Sequence, residues 1–140
     1  MLVLDTSGAF AAIDGAAEEH QAARRVLENE RGPILLSPFV LAELDYMLLT
    51  RISLRAELSY LQEVADGVYD LMPMTRHEIV ETVDIVERYA DMKVGVADAS
   101  IAVLAARYRT TRVLTLDQRH FRAMKPLWGD AFTVLPADAA

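Results

Sequence analysis

Short apolar runs, each too brief to be a buried helix, alternate along this chain with longer stretches of helical period, and few architectures accommodate that rhythm. Leu2-Val3-Leu4, Ile34-Leu35-Leu36-Ser37, the stretch from Val68 to Met72, Arg112 to Thr115, and Ala131 to Leu135 read as strands. Helices are expected over 9–13, 16–28, 38–50, 53–65, 75–89 and 99–108, with a short one after Asp117. Local punctuation supports the boundaries. Gly32-Pro33 breaks a helix, Ser37-Pro38 and Ser53 start the next two, and Thr75 with Glu78 forms a capping-box pattern. Strands that take turns with helices pair in parallel, because each crossover helix returns the chain to the same end of the sheet. The expected fold class is α/β: a three-layer sandwich with a mostly parallel central sheet of four to five strands, forming one domain over residues 1–140. Inward-facing stripes are expected at Ala22, Val26 and Leu27; at Val40, Leu44, Met47 and Leu48; at Leu54, Leu58, Leu61 and Val64; and at Ile79, Val83 and Val86.

Composition removes several chemistries. The chain has no cysteine, which excludes disulfides, zinc-thiolate sites and thiol nucleophiles. Its histidines, His20, His77 and His120, lie far apart and form no zinc motif. No basic stretch precedes an apolar one at the N-terminus, and no apolar run approaches the roughly 20 residues a membrane span requires. A soluble, cytoplasmic protein with no membrane partner is expected. The net charge of −7 argues against nucleic acid, but its distribution does not. Residues 107–125 carry Arg107, Arg109, Arg112, Arg119, Arg122 and Lys125 against Asp117 alone, a local balance of +5. This is either a nucleic-acid face or a solvated basic helix surface.

Four acids stand where apolar stretches give way to turns or helices. Asp5 closes Met1-Leu2-Val3-Leu4, Asp98 follows Val94-Gly95-Val96-Ala97, and Asp117 follows Val113-Leu114-Thr115-Leu116. Glu43 lies about one and a half turns into the helix after the second strand, with Phe39, Val40, Tyr46 and Met47 around it; Asp45 projects elsewhere and is set aside. In an open parallel sheet, loops at the carboxyl ends of strands converge on one crevice. Two carboxylates about 6 Å apart repel by roughly 3 kcal/mol at an effective dielectric near 20. Several such pairs call for protonation or a bound cation to relieve them, and hard oxygen donors suit Mg2+ or Mn2+. The competing explanation is that Asp5, Asp98 and Asp117 are helix caps and Glu43 a surface acid.

At these residues the chain resembles PIN-domain ribonucleases, and among them the VapC toxins of bacterial toxin–antitoxin systems. The resemblance is carried by Asp5-Thr6-Ser7 after the opening strand, by Glu43 in Ser37-Pro38-Phe39-Val40-Leu41-Ala42-Glu43-Leu44, by Asp98 in Val94-Gly95-Val96-Ala97-Asp98-Ala99-Ser100, and by Thr115-Leu116-Asp117-Gln118-Arg119-His120-Phe121. It runs the length of the chain with the motifs in order. It implies a PIN-like fold and cleavage of RNA dependent on Mg2+ or Mn2+. Asp5 and Asp98 then correspond to the regular metal ligands, Glu43 to the acid that binds metal or activates water, and Asp117 to the most variable acid. Thr6, Ser7 and Thr115 match supporting hydroxyls, or serve turn chemistry only, and Arg119 and Arg122 are candidate RNA contacts. The implied partners are an RNA substrate, a VapB-like antitoxin and a second copy in a homodimer. The antitoxin groove would form between the helices at 16–28, 38–50 and 53–65, with Phe10, Leu48, Leu54 and Leu58 as candidates. His120 is expected to be a surface or packing residue, and Trp128 and the tyrosines to pack in the core.

Other functions remain compatible with four acids. A phosphatase or receiver-like module would use strand-end acids with Mg2+, although position 7 is Ser where a phosphatase commonly has a second Asp, and Asp5 lacks an acidic neighbour. An RNA-processing nuclease without a toxin role, or an interaction protein whose acids are caps, completes the set.

Overall fold

The computed structural model describes residues 1–139; Ala140, the last residue of the expected 1–140 unit, lies outside the described residues. Five strands form one fully parallel sheet: β1 (Leu2–Leu4), β2 (Ile34–Leu36), β3 (Asp70–Leu71), β4 (Arg112–Leu114) and β5 (Thr133–Leu135). Their order is β3-β2-β1-β4-β5. The chain thus builds outward from β1 to one side and later returns to build the other. That reversal, between β1 and β4, is the topological switch point at which the crevice of an open α/β sheet opens.

The helices are α1 (Thr6–Ile13), α2 (His20–Asn29), α3 (Pro38–Arg51), α4 (Leu54–Ala65), α5 (Arg76–Arg88), α6 (Val96–Arg107) and α7 (Gln118–Ala123), with a 3-10 turn at Ala90–Met92. Strand residues Leu2, Val3, Leu4, Leu35, Leu36, Val113, Leu114 and Val134 are fully or almost fully buried, as expected of a sheet covered on both faces. Helix α6 is nearly all apolar and is buried from Ala99 to Ala105, so it lies within the molecule.

Two helix starts differ from expectation in ways that matter for the site. Helix α1 begins at Thr6, not at residue 9, although Thr6-Ser7-Gly8 is a poor helix opening. Gly8 explains this: a β-carbon there would stand 2.4 Å from the Leu114 carbonyl oxygen, so only glycine lets α1 press against β4. Helix α6 begins at Val96 with Gly95 at its cap, which puts Asp98 in the first turn. Helix α2 starts at His20 rather than Ala16, and its buried residue is Ala23.

The apolar stripes also shift. In α3, Val40, Leu44 and Leu48 are buried as expected, with Met47 partly so. In α4, Leu54, Leu58 and Leu61 face solvent, and the inward residue is Tyr60, whose ring lies 5.1 Å from that of Tyr69. In α5, Ile79 and Val83 are exposed, while Thr82 and Ile85 are buried; the Thr82 hydroxyl satisfies itself on the Ile79 carbonyl at 2.6 Å. Trp128 (45% exposed) and Tyr46 are outside the core that was expected to hold them.

Candidate active site

The carboxyl edge of the sheet positions each acid by a separate local device. Asp5 directly follows β1 and is 5% exposed. Its Oδ2 accepts hydrogen bonds from the Thr115 hydroxyl at 2.6 Å and the Ser7 hydroxyl at 3.0 Å. Thr115 follows β4, so the pair is held by the parallel register that sets Leu4 against Leu114. Ser7 Oγ also accepts from the Leu116 backbone N–H at 2.9 Å, and Thr115 Oγ1 from that of Asp117 at 2.9 Å. Asp117 caps α7, its Oδ1 accepting from the His120 N–H at 3.0 Å. Asp98 sits in the first turn of α6, whose N-terminal half is tied to the start of α3 by a buried 2.7 Å contact between the Ser37 and Ser100 hydroxyls.

The cap explanation holds for Asp117 alone. Asp5 occupies a cap position but makes no side-chain cap bond, and Asp98 is not a cap. What the fold brings together is Asp5, Asp98 and Asp117. Glu43 stands at the rim: it is exposed, and it joins the set through the Thr6 hydroxyl, which donates to Glu43 Oε1 at 2.7 Å. Asp45 turns toward α4, where its hydrogen bond with Glu57 raises the Glu57 carboxyl.

His120 is the residue that sequence reasoning misplaced. It is neither a surface nor a packing side chain; its Nδ1 lies 2.8 Å from Asp98 Oδ2 and 2.9 Å from Asp117 Oδ2, and its Nε2 lies 2.8 Å from the Met92 carbonyl oxygen. A carbonyl only accepts, so Nε2 carries hydrogen and Nδ1 is the atom turned to the acids. The signal was present in the sequence: Asp117 and His120 are three apart at a helix start, which stacks them on one face. Nothing in the local sequence pointed to Asp98.

Electrostatics at this edge are under-compensated. Burial drives the Asp5 carboxyl upward, against hydrogen bonds from Thr115, Ser7 and the Thr6 backbone, and the nearby Asp117 adds to the rise. Asp98 is pushed up to about 6, by burial first and then by Asp5. Burial works against a charge on His120, but the Met92 carbonyl, Asp117 and Asp98 outweigh it and raise its value. Together these groups bind protons more tightly than they would apart. A divalent cation is the natural replacement for those protons, and three carboxylates with one imidazole are a donor set suited to such an ion. Asp98, Asp117 and His120 each offer a ligand atom within 4.8 Å of the others.

The basic stretch is less free than its composition suggested. Arg107 pairs with Glu78, Arg112 with Glu30, and Arg122 with Asp138, the last through two bonds of 2.5 and 2.8 Å. Among the described residues Arg109, Arg119 and Lys125 make no ion pair, and Arg119 is exposed on α7 beside Asp117. Away from the acids, a cleft of about 500 Å3 lies between α2, β2 and the end of α4, lined by Ile13, His20, Arg24, Glu28, Glu63 and Tyr69 among others. No helix among the described residues is long and apolar enough to cross a membrane.

Comparison with known proteins agrees with this architecture. Residues 2–126 match the PIN domain family. The chain is 42% identical over 135 residues to ribonuclease VapC26 of Mycobacterium tuberculosis, covering 96% of this chain and all of that one. Among solved structures, the sarcin–ricin-loop-cleaving toxin VapC20 of the same organism superposes with a TM-score of 0.78 at 18% identity, over 85% of this chain and 92% of that one. The DNA-bound VapBC complex of Salmonella typhimurium matches with a TM-score of 0.70 at 18% identity, over 95% of this chain and 96% of that one.

Proposed function

We propose that this chain, which belongs to the PIN domain family, is a divalent-metal-dependent endoribonuclease, the toxin of a cytoplasmic toxin–antitoxin pair neutralised by a VapB-like antitoxin. The observation that carries the chemistry is the convergence of Asp5, Asp98 and Asp117 at the sheet's switch point, with carboxyls raised by burial and mutual repulsion. Asp5 and Asp98 would hold Mg2+ or Mn2+, and Asp117 would complete the set directly or through water. When bound, such an ion supplies positive charge at a scissile phosphoryl oxygen and acidifies water. Glu43, at the rim and hydrogen-bonded by the Thr6 hydroxyl, would orient an attacking water and take its proton. Ser7 and Thr115 hold the Asp5 carboxylate in one orientation. Arg119 is exposed and able to meet the RNA backbone, whereas Arg122 must first release Asp138.

The ribonuclease name of the 42% identical relative and the toxin–antitoxin complexes among the solved structures support the toxin reading. The exposed leucines of α4, Leu54, Leu58 and Leu61, offer an apolar face to an antitoxin segment. A homodimer is the expected assembly of the free toxin. The direct test is cleavage of end-labelled RNA by wild-type and Asp5→Asn protein, with Mn2+ and with excess EDTA. Discrete fragments made only by wild type with metal are expected. Full cleavage by folded Asp5→Asn would overturn the assignment.

A further inference from the structure

We propose that His120 is a metal ligand through its Nδ1, so that the ion seat between Asp98 and Asp117 has a nitrogen donor and favours Mn2+ or a later transition ion over Mg2+. This rests on the metal-dependent reading above and adds a ligand to it. The ring is oriented for that task. Its Nε2 donates to the Met92 carbonyl at 2.8 Å, which leaves Nδ1 as the atom facing the two carboxylate oxygens at 2.8 and 2.9 Å. A backbone carbonyl on the far ring nitrogen is the usual device that fixes the tautomer and raises the basicity of a ligating histidine. An ion bound by oxygen and nitrogen donors at about 2.1 Å, with those bonds near right angles, sets the donors about 3 Å apart, close to the spacing seen here.

The anchorage is built into three elements. The His120 backbone N–H bonds Asp117 Oδ1 at 3.0 Å, which locks the first turn of α7. The 3-10 turn Ala90–Met92 ends on Lys93 in the left-handed region, at φ 56°, and presents the Met92 carbonyl to the ring. Helix α6 supplies Asp98 from the opposite side. A side chain held at both ring nitrogens and at its backbone loses little entropy when an ion arrives. Imidazole is a better partner for later transition ions, and by a smaller margin for Mn2+, than for Mg2+, so nitrogen in the seat biases the metal preference.

The test reads the metal centre, not turnover. Wild-type protein loaded with Mn2+ is examined by pulsed electron paramagnetic resonance for coupling to a directly bound nitrogen. Mn2+ and Mg2+ affinities are then measured calorimetrically for wild type and for His120→Gln and His120→Ala. Nitrogen coupling is expected in wild type and absent from both variants, with Mn2+ affinity lowered about 10-fold or more and Mg2+ affinity changed far less. Mn2+ bound without nitrogen coupling would overturn the ligand role while leaving the metal-dependent nuclease intact. Equal losses for both ions would overturn the metal preference that the nitrogen donor is proposed to set. Failure of wild type to bind any divalent ion would remove the nuclease reading itself. The wild-type spectrum decides the matter even where a variant fails to fold.

Discussion

Asp98 shows how a single buried side chain couples stability to pH. Its folded value, about 6, lies above the ordinary 3.8, so the folded chain holds this proton more tightly than the unfolded chain does. That stabilisation is complete below about pH 4 and is lost as pH rises through about 6. His120, also raised, acts in the same direction at higher pH. In EDTA, the melting temperature of wild type should therefore fall relative to Asp98→Asn as pH goes from about 4 to about 7, and Mn2+ should restore wild type only. A difference that stays flat with pH would contradict this account. The hydroxyls around Asp5 act by orientation, so Thr115→Ala and Ser7→Ala should each lower RNA cleavage about 10-fold, with circular dichroism unchanged. Asp117, which also caps α7, should tolerate Asn better than Asp5 does, because an amide oxygen still accepts the His120 N–H.

At the scale of elements, the site depends on how closely α1 approaches β4. Gly8→Ala would place a methyl 2.4 Å from the Leu114 carbonyl oxygen, where backbone and not a flexible side chain must yield. The expected cost is about 3 kcal/mol in denaturant unfolding, as for other overpacked contacts. The displaced helix start should also loosen the Asp5–Thr115 and Thr6–Glu43 contacts, so Mn2+ affinity should fall with it. A variant with wild-type stability and affinity would show that α1 can shift freely. The capping box at Thr75 and Glu78 shows a complementary case, in which local sequence predicts local structure. Both of its reciprocal bonds form, and Glu78 additionally pairs with Arg107 of α6.

The whole molecule separates its charges between the two ends of the sheet. At the amino edge, burial would raise the Glu30 carboxyl, but the Met1 ammonium, the Gly32 N–H and Arg112 outweigh it and hold the carboxyl at about 2. That end is compensated and structural. At the carboxyl edge Asp98 and Asp117 have His120 as their charged neighbour instead. A second division concerns apolar surface: Leu54, Leu58 (55% exposed) and Leu61 of α4 remain uncovered. An exposed apolar face of this kind is a candidate docking surface, and the antitoxin proposed above is its expected occupant. Leu58→Glu should leave the melting temperature and RNA cleavage near wild type while weakening capture by the cognate antitoxin about 10-fold or more. Unaltered antitoxin binding, measured by calorimetry, would place that partner elsewhere.

The α/β alternation, the parallel sheet and three of the four acids at its carboxyl edge were legible in the chain, because strand length, helix caps and breaks are set by residues within a few positions of one another. The same locality explains what was hidden. Hydropathy shows that Leu54, Leu58 and Leu61 share a face of α4, but not whether that face meets the core or a partner. The placement of α1 and α6 involves Gly8 meeting Leu114, about a hundred positions away, and Ser100 meeting Ser37, about sixty positions away. His120 looked ordinary beside Asp117 until α6 and the 3-10 turn brought Asp98 and the Met92 carbonyl to its ring. Which residues carry acidic oxygen is a property of the sequence. Which of them come together, and beside which imidazole, was decided by the packing of α6 and α7 across the switch point, where distance along the chain no longer measures distance in space.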